Sequence, residues 1–182
     1  MGSTFDYVPV QLTKAFREAQ TDENFQGWLK MQEAVMEIEF PIYDLPDIRD
    51  QMFTKDSLAI VEAKLVDLYA NERAAYASKD DLTLTMRFVY YIGETFRRAL
   101  DATWVALPPR NKEASPHALK PAIDLPFSEA FVQPLDLVGM ALNRRSGIEI
   151  TRVFGHMERA HAKWVEAGKP PRTYRGTLRE VD

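Results

Sequence analysis

The side chains best placed by type and spacing to do chemistry lie in Tyr90-Tyr91-Ile92-Gly93-Glu94 and in the Arg97-Arg98 pair that follows. Residues three and four apart share a helix face, so Glu94 falls one turn after the tyrosines and one turn before both arginines. Two chemistries fit this spacing. One is a binding or pKa-shifted carboxylate in a cleft that contains Tyr90 and Tyr91. The other is a half-buried acid held structurally by Arg97 or Arg98, or by amides of the segment after the helix. Gly93 favours the second. A helix-interior glycine costs about 1 kcal/mol relative to alanine and is explained when another element packs closely against it.

Other reactive constellations are missing from the sequence. His156 and His161 are five residues apart, which at ~100° per residue turns their rings about 140° apart. Metal-binding helices stack histidines four apart, so this pair is not expected to share an ion. His117 lies in a loop with no partner that the sequence identifies. The absence of cysteine excludes disulfides, thiol nucleophiles and thiolate metal sites. No glycine-serine-glycine elbow, phosphate-cradling glycine loop or dinucleotide fingerprint occurs. The expectation is a non-enzymatic protein with no metal and no cofactor.

The elements that position these residues follow from periodicity. One domain of 182 residues is expected, mainly α, with about five helices around a central one and a small β-hairpin. Phe25, Trp28, Leu29, Val35, Met36 and Ile38 predict a helix over 24–40, capped by Asp22 and stopped by Pro41 and Pro46. Leu58, Val61, Leu65, Leu68 and Tyr69 form the stripe of a second helix over about 56–77, with Glu62, Lys64 and Asp67 on its wet faces. The segment 80–100 is apolar almost all round until Arg97, the mark of a helix enclosed by others. After it, Thr103 to Leu107 and Ala122 to Leu125 read as a hairpin over about 103–125, with an irregular excursion as the alternative. Two further helices are expected over 134–144 and 148–167. Residues 1–8 and 172–182 are expected to fray.

Charge narrows the partners. A net charge of −4, with basic residues interleaved by acids, speaks against nucleic acid, which needs a clustered basic surface. No apolar run approaches the ~20 residues that span a bilayer, and residues 1–7 do not read as a signal peptide. A soluble, cytoplasmic protein is the expectation.

Two surfaces could meet a protein partner. Tyr43, in a proline-bearing loop ringed by Glu37, Glu39, Asp44, Asp47 and Asp50, would suit a basic partner; a merely solvated connection is the alternative. The other is the loop 108–116, with Arg110, Lys112 and Glu113. Trp104 is a second candidate for an exposed anchor.

Tyr91-Ile92-Gly93-Glu94, Trp104-Val105 and Pro126-Phe127 before an amphipathic helix together resemble a pattern in bacterial domains of unknown function, some of them similar to immunity proteins that accompany polymorphic toxins. The likeness covers about residues 80–145. It implies a mostly helical fold with a small hairpin and a protein that binds a cognate toxin and blocks its active site. It supplies no catalytic residues. The alternative function is a small-molecule binder or enzyme with its cleft around Glu94.

Overall fold

A computed structural model describes residues 8–111, 113–115 and 117–175. The fold is mainly helical with one two-stranded antiparallel sheet, as the periodicity predicts. Its helices are α1 (Lys14–Ala19), α2 (Glu23–Glu37), α3 (Lys55–Leu68), α4 (Lys79–Ala99), α5 (Pro134–Arg144) and α6 (Glu149–Glu166). Short 3₁₀ turns occupy Val10–Leu12, Pro46–Gln51 and Glu72–Tyr76, and a π-helical turn spans Phe40–Asp44.

Local chemistry sets most helix starts. Asp22 accepts from the Phe25 amide at 2.9 Å, and Ser78 accepts from the Asp81 amide at 3.1 Å. Thr54 and Ser57 form a reciprocal capping box on α3. The centre of the fold is α4, in which every residue from Phe88 to Phe96 is buried. A helix with nine successive buried positions has neighbours on all sides, and α2, α3, α5 and both strands pack against it.

The strands β1 (Thr103–Leu107) and β2 (Lys120–Asp124) pair in register from Thr103 opposite Asp124 to Leu107 opposite Lys120. Val132 adds a bridge to Ile123. One face of the hairpin closes over α4 and α5; Val105 and Ala122 form a small second cluster with Phe16 of α1.

The second helix is shorter than the 56–77 that periodicity predicts. It stops at Leu68, Tyr69 is extended, and Asn71 caps a separate 3₁₀ turn through the Ala74 amide. The reason is distant in sequence. Arg145 holds the left-handed cap position of α5 and donates to the carbonyls of Val66, Tyr69 and Ala70, which have no helical continuation.

Glu62, expected on a wet face, is completely buried. Its two oxygens accept from the Glu149 and Ile150 amides at 2.8 Å each. Ile148, at the N-cap of α6, has no side-chain acceptor to offer, so α3 supplies the cap from across the core.

The C-terminal segment is tied down as far as it is described. Arg172, expected to fray, pairs with Asp124 at 2.6 Å and donates to the carbonyls of Leu125 and Ser128. Residues 1–7 and 176–182 lie outside the described residues.

Candidate functional site

Glu94 sits where α4, β1 and the start of α5 converge. It is 4% exposed. Arg97 grips it with two bonds, Nε to Oε2 at 2.8 Å and Nη2 to Oε1 at 2.7 Å. Arg98 Nε donates to Oε1 at 2.8 Å, and the Trp104 indole N–H donates to Oε2 at 3.0 Å. Burial alone would push this carboxyl up; the bonds from Arg97, Arg98 and Trp104 outweigh it and hold the carboxyl below its ordinary range. Four donors on two oxygens leave a carboxylate committed to structure.

The glycine before it explains how Trp104 gets so close. A β-carbon on Gly93 would stand 2.1 Å from Trp104 Cη2 and 2.9 Å from Pro134 Cγ. Trp104 then stacks on Tyr90 with ring centroids 5.4 Å apart and meets Trp28 edge-on at 5.7 Å. Far from being an exposed anchor, Trp104 joins α2, α4 and β1 in one aromatic cluster.

Tyr90 and Glu94 line a shallow depression of about 280 Å³ opposite Lys30 and Glu33 of α2. Burial, with the neighbouring charges of Glu94 and Glu33, pushes the Tyr90 phenol up to about 12, so it stays protonated and is a poor base near neutral pH. Tyr91 does not share this depression. One step along a helix turns a side chain by ~100°, and Tyr91 faces the core. Its hydroxyl donates to Ser57 Oγ and accepts from the Phe53 amide, both at 2.7 Å, and its ring stacks on Phe40 and Phe53. The expected trio is thus divided between two sides of α4.

The second candidate region is the turn after α2. Pro41 has no amide proton, and the π turn closes through the Leu45 amide donating to the Phe40 carbonyl at 2.8 Å. Phe40 and Leu45 anchor it in the core, while Tyr43 is 75% exposed, with Ile42 and Ile38 also exposed beside it in sequence. Arg87 of α4 donates to Asp44 at 2.7 Å and to Glu39 at 2.6 Å. Asp44 is therefore neutralised from below rather than presented to a partner. Asp47 and Asp50, on the next 3₁₀ turn, are exposed.

A third region surrounds the hairpin tip. Arg110 and Glu113 are exposed, and the Glu113 amide donates to Asn111 Oδ1 in a side-chain turn. Lys112 lies outside the described residues. Between this loop and α1 is an open cleft of about 570 Å³, walled by Ala15, Ala19, Pro108, Pro109 and Leu119. Asp22 and His117 stand on its wall, His117 Nδ1 lying 3.3 Å from Asp22 Oδ2. This pairing supplies the partner that the sequence alone does not identify for His117. The cleft itself follows from α1, a helix that periodicity misses because it is only six residues long.

His161 packs among Phe127 and Trp164 and reaches Asp101 at 3.3 Å; His156 is exposed. Among the described residues no three acidic or histidine side chains converge as a metal site, and no helix is long and apolar enough to cross a membrane. No family model matches the sequence, and comparisons with curated proteins and with solved structures return no match.

Proposed function

We propose that this chain is a non-enzymatic protein-binding module of the bacterial cytoplasm, and within that class an immunity protein that covers the active site of a cognate toxin. The principal contact is the turn bearing Tyr43, with Asp47 and Asp50 at its rim; Arg110 and Glu113 belong to the hairpin loop, which lies by Asp22 at the other end of α2, and form a separate contact region. The observation that carries this reading is the pairing of exposure with fixation. Tyr43 stands 75% exposed on a turn whose backbone is held from both ends by buried Phe40 and Leu45 and from beneath by Arg87. Tyrosine supplies large amphipathic contact area, and a pre-set turn loses little entropy on binding. Exposed acids beside it favour a basic partner surface and speed its approach. Inhibition by coverage needs shape and charge, not catalytic groups.

The test is co-expression with the product of the neighbouring reading frame. The chain is expected to rescue growth and to co-purify with that product. Tyr43→Ala should weaken the complex about 30-fold or more, the range of a central aromatic contact, and Asp47→Asn with Asp50→Asn should slow association with a reduced salt dependence. A neighbouring product that is neither toxic nor bound, or a complex indifferent to Tyr43→Ala, rejects the reading.

A further inference from the structure

The cleft between α1 and the hairpin tip lies apart from the Tyr43 turn. We propose that it accepts a lysine side chain presented by an extended protein segment, the aliphatic stem lying on Ala19, Pro108, Pro109 and Leu119 and the ammonium replacing His117 at Asp22. At about 570 Å³ the cleft falls within the size range of ligand pockets, and is far larger than one side chain needs, which suits a side chain carried on a backbone.

The occupant follows from the lining. The walls named above are alkyl and pyrrolidine groups that suit a chain of methylenes and offer it no hydrogen bonds. The formally charged groups at pH 7 among the described lining residues are Glu18 and Asp22, both anionic. Glu18 lies 3.9 Å from Lys14, and both of these are largely exposed. Asp22 is the better-placed acceptor. Its Oδ1 is fixed by the Phe25 amide, which sets the carboxylate's orientation and leaves Oδ2 toward His117. Its side chain is only 15% exposed, and the bonds from Phe25 and His117 keep it ionised. His117 is itself mostly exposed, so it can swing away into water at small cost. A lysine suits the site because its ammonium is a compact point charge that Oδ2 alone can receive, and its four-methylene stem matches the alkyl walls.

The proposed site is independent of the Tyr43 surface, and its test uses no toxin. The full chain is titrated with N-acetyl-lysine N-methylamide and, separately, with the norleucine analogue that lacks the ammonium, following backbone amide shifts by NMR. The lysine derivative is expected to move the signals of Ala19, His117 and Leu119 saturably, and norleucine to bind about fivefold more weakly. Asp22→Asn should erase that difference while leaving the helix cap intact, since asparagine caps as well as aspartate. His117→Ala should strengthen lysine binding, because the competing side chain is gone. Equal binding of lysine and norleucine, shifts confined to other residues, or a folded Asp22→Asn variant that still prefers lysine would each overturn the proposal. If Asp22→Asn unfolds, the His117→Ala titration decides: unchanged or weaker binding rejects displacement.

Discussion

At the junction of α4 with β1, Arg97, Arg98 and Trp104 all turn onto Glu94, and the acid is sealed at 4% exposure. At the Phe40–Asp44 turn, Arg87 reaches up from the same helix to Asp44 and Glu39, and Tyr43 is left standing in solvent. Both regions commit arginine to carboxylates, with opposite results. In the first, the ion pairs close a polar group into the packing of the central helix. In the second, they hold an irregular turn so that an aromatic ring can stay outside. The position of aromatic carbon, more than the number of charges, separates the structural region from the candidate interface: Trp104 covers its acid, whereas Tyr43 projects beyond its own.

The largest test of this contrast is Gly93→Ala. The added carbon would meet the Trp104 ring at 2.1 Å and Pro134 at 2.9 Å, and neither is the free end of a flexible chain. A cost of about 3 kcal/mol is expected in urea unfolding, the upper part of the range for overpacking. Gly27 of α2 is the control, because a β-carbon added there would have nothing within 4 Å; Gly27→Ala should stabilise by about 0.5–1 kcal/mol through helix propensity. Equal behaviour of the two variants would mean that Trp104 does not need its place over Gly93.

Glu94→Gln comes next, at a cost of about 1–2 kcal/mol. The amide keeps one acceptor and loses the charge, while Arg97 and Arg98, both partly exposed, can recover water. The sign with pH is fixed by the direction of the shift. A carboxyl held below its ordinary value of 4.5 contributes stability that is fully present above that pH and is lost as pH falls through the folded-state pKa. The gap between wild type and Glu94→Gln should therefore be widest at neutral pH and narrow steadily below 4.5. A gap that grows in acid would contradict the ion-pair account.

Much of the central architecture is legible in the sequence because its causes are local. The apolar circumference of α4, the proline start of α5, the Asp22 and Ser78 caps and the hairpin all depend on residues within a few positions of one another. Gly93 is legible too, as a place where something must come close, although only the fold identifies Trp104 and Pro134. The features that the sequence hides share a different cause. Glu62 looks like a wet-face residue until α6 arrives 87 positions later with uncapped amides. The end of α3 depends on Arg145, and the neutralised state of Asp44 depends on Arg87, 43 positions on. Polar residues satisfied across the core carry no periodic signal. For the same reason Tyr91 resembles a cleft neighbour of Glu94 in the sequence, since its hydroxyl partners lie on α3 and the segment before it.

Arg87→Gln probes the second region from beneath. Losing the pairs to Asp44 and Glu39 should cost about 1 kcal/mol, since one partner is half in water. The more telling readout is local: chymotrypsin should cut after Tyr43 faster in Arg87→Gln than in wild type, at denaturant concentrations where both remain folded, because the turn opens without global unfolding. Unchanged cutting would show that Phe40 and Leu45 suffice to hold the turn.

The smallest stability effect is expected at the residue with the largest proposed role. Tyr43→Ala removes a ring that is three-quarters exposed, so the unfolding free energy should move by no more than about 0.5 kcal/mol. Set against Gly93→Ala, this completes the comparison in one assay: the junction residue sustains the fold, and the turn residue is dispensable to it. A loss above about 1 kcal/mol would place Tyr43 among the packing residues and remove the physical ground for reading the turn as a prepared contact surface, because a ring that stabilises its own chain is not being held out for another.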